Sequence, residues 1–291
     1  MAIIRSTYSS LFNMMARQGS KLKGEIRKWE EQSITGMKVN RPSDAPGKIS
    51  QINRLRETVA DQQMYVDNAV NSQTWVGSMD QVLGEAEDVL VRAREIATQM
   101  ANESYSASDL AAAAEEVRGL QDAFLQQANA DVGGRYLFAG AAYGDVPFTD
   151  LTGTYAGGTD TPSTLIGNGV YVETGAVGSD IFTNGFAALE ELATALDAGD
   201  HDAVQASLDT IDAGRDDIIH KWEEVGFAFS QTEDAIGAAQ GLETILSESL
   251  NALVVADPEE AYTKLVETRT SYEAALQVAS SGFDLSLFKY I

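Results

Sequence analysis

The residue types that most often carry chemistry are scarce in this sequence of 291 residues. It has no cysteine, which excludes disulfides, cysteine nucleophiles and thiolate metal sites. Its two histidines, His201 and His220, are not spaced as metal ligands on one helix. We therefore predict neither a zinc site nor a Ser-His triad, and we interpret both histidines as ordinary helix-face or surface residues.

Two glycine-containing stretches invite comparison with phosphate-binding loops. GGRYLFAG, residues 133–140, lacks the Gly-Lys-Ser/Thr ending that reaches phosphates, and it precedes a predicted strand instead of a helix N-terminus. GNG, residues 167–169, lacks the third glycine of a dinucleotide fingerprint. The sequence thus predicts no nucleotide cofactor.

The acidic residues in the middle of the chain are the remaining candidates for metal ligands. Their spacing does not match a calcium-binding loop, so solvated loop carboxylates are the favoured interpretation. We predict no metal, no cofactor and no enzymatic activity. The residues concerned are Asp145, Asp150, Asp160, Glu173 and Asp180.

Charge is distributed very unevenly along the chain, whose net charge is -24. Residues 1–56 hold eleven Lys+Arg and four Asp+Glu, a balance of +7, and the remainder holds nine and forty, a balance of -31. Because most of the surface is acidic, we expect no binding to nucleic acid or to anionic membranes. No run of 18 apolar residues and no signal-peptide pattern occurs, so we expect neither a membrane-spanning helix nor a cleaved secretory signal.

Heptad spacing predicts two long helices of similar length that can lie side by side. One runs from Val204 to about Val255, and eleven of its fourteen core-position residues are apolar. The other runs from Ser50 to about Met100, with a one-residue shift in its register. A shorter helix comes next, with Ser108 or Asp109 as its predicted N-cap and Gly133 and Gly134 as its predicted stop.

The middle of the chain differs in kind, because residues 133–185 contain twelve of the 25 glycines and the alternating stretch GVYVETG. Short strands joined by glycine turns fit this pattern. We therefore predict a mainly α fold with a β insertion, in which a long antiparallel helical hairpin or coiled-coil bundle bears a small β-rich domain at its far end. The predicted domains are terminal helices (1–49 and 256–291), a long-helix bundle (50–135 and 186–255) and a β-rich outer domain (136–185).

Each end of the chain carries a narrow apolar stripe at helical spacing, and Asp257-Pro258 predicts the start of the C-terminal helix. Two such helices are marginally stable alone, so equivalent stripes on neighbouring copies would complete their burial. We predict an assembly interface, with no catalytic residues, made of Ile4, Tyr8, Leu11, Met15, Leu22, Tyr262, Leu265, Tyr272, Leu276, Phe283, Leu287 and Phe288.

The stretch ITGMKVNRPSDAPGKISQINRLR, residues 34–56, resembles a segment shared by flagellins and flagellar hook-associated proteins. There, a loop containing Asn-Arg-Pro-Ser-Asp joins the terminal helix to the first long helix. In physical terms, Pro42 and Pro46 would break the first helix, and Ser43 or Asp44 would cap the next helical segment. The motif residues are Asn40, Arg41, Pro42, Ser43 and Asp44.

Two further stretches narrow the resemblance to the hook-associated protein 3 family of hook–filament junction proteins. The ending DLSLFKYI is similar to that of the family, although Lys289 replaces a usual acidic residue. The other stretch is GRYLFAG, made of Gly134, Arg135, Tyr136, Leu137, Phe138, Ala139 and Gly140. The resemblance covers about residues 1–140 and 205–291 and is weak over 141–200.

The resemblance implies an extracellular structural protein of the bacterial flagellum, located at the hook–filament junction and exported through the flagellar channel without a cleaved signal peptide. It implies that the terminal helices fold and stack around this channel on assembly. The implied partners are other copies of the chain in a ring or helical layer, the hook-side junction protein, flagellin, and an export chaperone that binds the C-terminal region.

Three alternatives stay open at this point. Flagellin, the bulk filament subunit, differs from a junction protein in copy number. An enzyme carried in the β insertion is disfavoured because no Lys or Arg occurs between Tyr136 and Gly214. A cytosolic coiled-coil adaptor would not appear outside the cell.

Overall fold

The computed structural model describes the backbone of residues 2–287 and the side chains of residues 13–280. The mainly α fold with a β insertion is confirmed. Six α-helices occur in this part of the chain: α1 Ala2–Thr35, α2 Ile49–Met100, α3 Ala107–Ala128, α4 Ser179–Ala198, α5 His201–Val254 and α6 Pro258–Leu287. Four short strands form two antiparallel hairpins, β1 Asp131–Val132 with β2 Arg135–Tyr136 and β3 Ser163–Gly167 with β4 Val170–Glu173.

The chain divides into two compact units, which we call unit 1 (residues 1–59 and 244–291) and unit 2 (residues 60–243). Unit 1 extends beyond the predicted terminal segments, because the ends of both long helices belong to it. The β insertion lies inside unit 2, so the structure does not separate residues 136–185 as a domain. Residues from 179 onward are helical, which corrects the C-terminal limit of the predicted β region.

In unit 1, α1 and α6 pack as an antiparallel pair. Arg269 donates from Nη2 to Oε1 of Glu30 at 2.5 Å, and the Lys23 ammonium lies 5.7 Å from the ring centre of Tyr272. Asp257 caps α6 by accepting from the backbone N–H of Glu259 at 2.9 Å, which fits the predicted helix start at Asp257-Pro258.

Helix α1 ends at Thr35, seven residues before Pro42, so the prediction that proline breaks it is wrong. Gly36 has a φ of 68°, a left-handed conformation that glycine adopts without a Cβ clash, and its N–H donates to the carbonyl of Gln32 at 2.9 Å. A glycine C-cap therefore stops the helix before the prolines are reached.

In unit 2, four helices surround one hydrophobic core. Antiparallel pairing of α2 with α5 follows from three contacts along their length: Arg94 with Asp212, Glu87 with Arg215, and Asp80 with the indole N–H of Trp222 at 2.7 Å. The bounds of both helices match the predicted ones within three residues. Predicted heptad positions that are fully buried here are Ala69, Val76, Leu83, Leu90, Ala97, Ile211 and Ile218.

The β insertion is anchored in the same core. Phe138 and Phe148 are buried, and the ring of Phe182 on α4 lies 4.8 Å and 5.9 Å from their ring centres, edge-on to both. The side chain of Asn68 on α2 donates to the carbonyl of Leu165 on β3 at 2.8 Å. These contacts explain why the hairpins and helices form one compact unit.

The glycines of GGRYLFAG do not stop α3, which already ends at Ala128. Gly133 and Gly134 have φ of 62° and 83° and form the two-residue turn between β1 and β2. Two consecutive positive φ angles match the twist of a tight hairpin, and glycine adopts them at low cost. These two glycines therefore mark the turn of a β-hairpin and not the end of a helix.

The N-cap of helix α3 lies two residues before Ser108, the earlier of its two predicted caps. Its N-cap is Ser106, which forms a capping box with Asp109, the residue that we predicted to be a cap itself. Hydrogen bonds from the Ser106 hydroxyl and backbone N–H lower the pKa of Asp109.

The Ser106→Ala variant is expected to lower the free energy of unfolding of unit 2 by about 1 kcal/mol, because the backbone N–H of Asp109 loses its side-chain acceptor. Urea denaturation followed by circular dichroism measures this change. Ser104→Ala, at an exposed position before the cap, is the control, and an equal loss in both variants would contradict the assignment of the cap.

Candidate assembly surfaces

The terminal helix pair is the first candidate surface. Leu22 and Leu265 are only 9% and 8% exposed, so they belong to the interior of unit 1 and are not available to a neighbour. This corrects their assignment to the assembly interface. Met15 and Tyr272 are half-buried and line a groove of about 500 Å³ between α1 and α6.

The apolar residues that this pair leaves exposed are more numerous than the sequence predicts. Tyr262 and Leu276, both predicted, are 65% and 52% exposed. Met14, Val266 and Val278 were not predicted, and they are 65%, 46% and 58% exposed. They fall outside the strict three-four register, so a broader apolar face would have been needed to find them.

The side chains of the other six predicted interface residues lie outside the part of the chain whose side chains the structure describes. Phe288 lies outside the described residues. The other five lie on the described backbone of α1 and α6, but their side chains are outside the described part: Ile4, Tyr8, Leu11, Phe283 and Leu287.

The Asn-Arg-Pro-Ser-Asp motif builds a short, tightly bonded loop in unit 1. Asp44 accepts through Oδ2 from the backbone N–H groups of Asn40 at 3.0 Å and Arg41 at 2.7 Å, and the segment Pro42–Asp44 is a single 3-10 turn. The Asn40 side chain donates to the carbonyl of Met37 at 3.0 Å. The N-cap of this turn is Arg41, and Asp44 is its third residue, which accepts from the N-cap backbone. The prediction that Ser43 or Asp44 caps the next helical segment is therefore wrong.

The same loop is joined to the C-terminal end of α5 and the residues that follow it. The N–H of Lys38 donates to the carbonyl of Val254 at 2.7 Å, and the N–H of Ala256 donates to the carbonyl of Gly36 at 2.9 Å. The side-chain amide of Gln32, which is only 5% exposed, donates to the carbonyl of Lys38 at 3.1 Å. Met37 and Val255 are therefore presented by a fixed backbone.

The arginine of GRYLFAG holds three segments of unit 2 together. The Arg135 guanidinium lies 4.6 Å from the ring centre of Trp75 on α2 and 5.0 Å from that of Tyr143. Its Nη2 also donates to the carbonyl of Thr174 at 3.2 Å. The apolar part of the motif points inward, since Leu137, Phe138 and Ala139 are at most 1% exposed.

The Arg135→Lys variant is expected to lower the free energy of unfolding of unit 2 by about 1–2 kcal/mol. Lysine keeps the charge but has no planar group that can contact the rings of Trp75 and Tyr143 while donating to Thr174. Urea denaturation followed by tryptophan fluorescence measures the loss.

Arg118→Lys is the matched control for this variant. Arg118 pairs with Glu115 and Asp197 at the surface, where ion pairs contribute little, so a change below about 0.5 kcal/mol is expected. Equal losses in free energy of unfolding would show that the contacts of Arg135 stabilise unit 2 no more than a surface ion pair does.

Hydrogen bonds shift the pKa values of two charged residues next to the β insertion of unit 2. Hydrogen bonds from the hydroxyl of Thr152 and the backbone of Thr154 lower the pKa of Asp150 to about 2. Burial opposes the charge on Lys221, but its bonds to Glu224 and Glu173 outweigh this effect and raise its pKa. Both arrangements fix loops and hairpins in place.

The histidines and carboxylates are dispersed. His201 makes a 2.8 Å hydrogen bond from Nδ1 to the carbonyl of Met100, and the exposed His220 lies 3.5 Å from Glu224. Among the described residues, no group of three His, Asp or Glu side chains is arranged to hold a metal ion. In the same part of the chain, no helix is both long and apolar enough to cross a membrane.

Comparison with known proteins finds flagellar proteins that are similar to this chain. Residues 6–142 match the family model of the bacterial flagellin N-terminal helical region. The flagellar hook-associated protein 3 of Escherichia coli (strain K12) is 25% identical over 316 residues, an alignment that covers 98% of this chain and 99% of that protein. The chain is thus similar to flagellar hook-associated protein 3 over nearly its whole length.

A second relative and two solved structures are also similar to this chain. The protein of that name from Salmonella typhimurium is 30% identical over 161 residues, 55% of this chain and 51% of its own. The FlgL crystal structure from Bacillus cereus has a TM-score of 0.57 at 24% identity and covers 70% of this chain and 99% of its own. The hook-associated protein 3 structure from Legionella pneumophila has a TM-score of 0.64 at 15% identity, covering 69% and 98%. These two structures share the fold.

Proposed function

We propose that the chain is a structural subunit of the bacterial flagellum that forms the junction layer between the hook and the flagellin filament. The observation that supports this most is the homology to hook-associated protein 3 over nearly the whole of both chains. The GRYLFAG motif agrees with it, because its residues build the anchor of the β insertion. This role requires no catalysis.

The exposed apolar residues of α1 and α6 give the role a physical basis. Burial of one such side chain against a neighbour contributes about 1.5–3 kcal/mol. Five of them are 46–65% exposed in the single chain: Met14, Tyr262, Val266, Leu276 and Val278. A layer of copies that covers these residues is held together at every contact, so the assembled state is favoured strongly.

The partners follow from the same role. Other copies of the chain would cover the terminal helices within the layer, and the hook-side junction protein and flagellin would lie on its two sides. An export chaperone would bind the C-terminal region before assembly. Export through the flagellar channel would require no cleaved signal peptide.

Deletion of the gene in its own organism tests the proposal. Hooks without filaments are expected, with flagellin released into the medium, and a plasmid copy of the gene should restore the filaments. Normal filaments in the deletion strain would contradict the proposal.

Flagellin is the second candidate, because the matched family model describes a region of flagellin. Copy number separates the two roles: a junction layer needs on the order of ten copies per flagellum, whereas a filament contains thousands. Quantitative mass spectrometry of purified flagella makes this measurement. If the chain were as abundant as the main filament protein, the result would favour flagellin.

A further inference from the structure

A shallow groove in unit 2 lies between the β3–β4 hairpin and α5. It has a volume of about 490 Å³ and is not part of the terminal helix pair. Two aromatic side chains of its lining are largely exposed, Tyr171 at 61% and Phe227 at 72%. Large apolar side chains gathered at one surface position are typical of contact sites between proteins.

Carboxylates border this groove. Glu173 and Glu224 also line it, and both share the ammonium of Lys221. Glu223 makes no ion pair with any side chain that the structure describes. The rim therefore has more negative than positive charge, and it would favour an apolar partner that carries a cation.

Unit 1 exposes a surface of the complementary kind, which we call the loop edge: Ile34, Met37, Lys38 and Val255. Ile34, Met37 and Val255 are 84%, 44% and 49% exposed, and Met37 pairs with Val255 in a β-bridge. The exposed Lys38 makes no ion pair among the described side chains. The loop edge is thus apolar and cationic.

The backbone of the loop edge is fixed before any partner arrives. Hydrogen bonds from the side chains of Gln32 and Asn40 and the strand-like pairing with residues 254–256 hold it in place. A rigid edge loses little conformational entropy on binding, which favours its use as a contact.

We propose that the loop edge of one copy binds in the unit 2 groove of a second copy of this chain. Both surfaces occur on one polypeptide, with apolar centres and opposite rim charges, and the basic character of residues 1–56 against the acidic remainder follows the same division. A contact between two different surfaces of identical subunits propagates into a ring or a helical layer. The proposal rests on the proposed function, because it names a contact within the assembled layer.

Cross-linking in assembled flagella tests this contact, since a chain without cysteine gives a clean background. Met37→Cys and Phe227→Cys variants are produced together in one strain, and flagella are detached, oxidised mildly and separated on a non-reducing gel. A dimer is expected from the mixture, while each variant alone gives none. Met37→Cys combined with Ala112→Cys, an exposed position on α3 that does not line the groove, is the control.

The outcomes separate the two proposals. If the chain is present in the junction but the mixture gives no more dimer than the control pair, the contact is wrong and the proposed function stands. If the wild-type chain is absent from flagella, the proposed function fails, and this contact fails with it.

A charge exchange provides a second readout that does not depend on cysteine. Lys38→Glu and Glu223→Lys are each expected to reduce the copies per flagellum about tenfold, because like charges then face each other, and the double variant should regain most of them. Asp122→Lys, the same charge change on α3, should have little effect. Single variants without effect, or a double variant no better than the weaker single one, would overturn the contact.

Discussion

The Leu276→Asp variant is expected to leave unit 2 folded and to abolish incorporation of the chain into the flagellum. Leu276 is 52% exposed in the single chain, so the carboxylate stays in water and the free energy of unfolding should change by less than about 1 kcal/mol. In the assembled layer the same position would be covered by a neighbour, and burial of an unpaired carboxylate costs several kcal/mol per copy. Fractionation of cells and counts of filaments by electron microscopy measure the loss.

Two controls isolate the cause of that loss. Leu276→Met keeps an apolar side chain of similar volume and should incorporate normally. Thr263→Asp introduces the same charge at another exposed position of α6 and should also incorporate. Normal filaments with Leu276→Asp would refute the assignment of this face of α6 to the assembly.

The Phe124→Ala variant is expected to lower the free energy of unfolding of unit 2 by about 3–5 kcal/mol. Phe124 on α3 is fully buried, and its ring contacts Phe182 at 5.5 Å and Phe186 at 4.9 Å between ring centres, edge-on in both cases. Truncation leaves a cavity where α3 and α4 meet and removes both aromatic contacts. Thermal and urea denaturation followed by circular dichroism measure the change.

Phe227→Ala is the matched control, because it deletes the same side chain at a position that is 72% exposed. We expect less than about 0.5 kcal/mol of change in the isolated chain. If Phe124→Ala were equally mild, the aromatic cluster would not be the core that joins the β insertion to the helices.

The long helices were the most predictable part of the fold. Heptad spacing gave the limits of α2 and α5 within three residues, because a narrow buried stripe on a long helix leaves a strong periodic signal. The division into two units left no such signal, since both long helices run through the boundary without a change in pattern.

Helix α4 directly follows the glycine-rich stretch and was not predicted as a separate helix. Its pattern is nevertheless amphipathic: Phe182, Phe186 and Leu189 are buried. On the opposite face, Asn184 and Glu191 are exposed. The β insertion was predicted from its glycines, yet the packing of its phenylalanines against α3 and α4 depends on residues far apart in sequence. Local patterns do not carry such long-range contacts.

The candidate interface was predicted only in part, for a related reason. A three-four stripe identifies apolar residues on one helix face but does not say whether a partner helix of the same chain covers them. Leu22 and Leu265 are covered in this way, whereas Tyr262 and Leu276 are not. Lys38 was not singled out, because the isolation of its charge emerges only once its neighbours in space are known.

Localisation of the chain on intact flagella tests the central claim most directly. A Thr159→Cys variant places a single cysteine at an exposed position of the β insertion, and maleimide-gold labels it on detached flagella. We expect one band of label at the hook end of each filament. Label along the whole filament, or none on flagella that carry normal filaments, would contradict a junction protein.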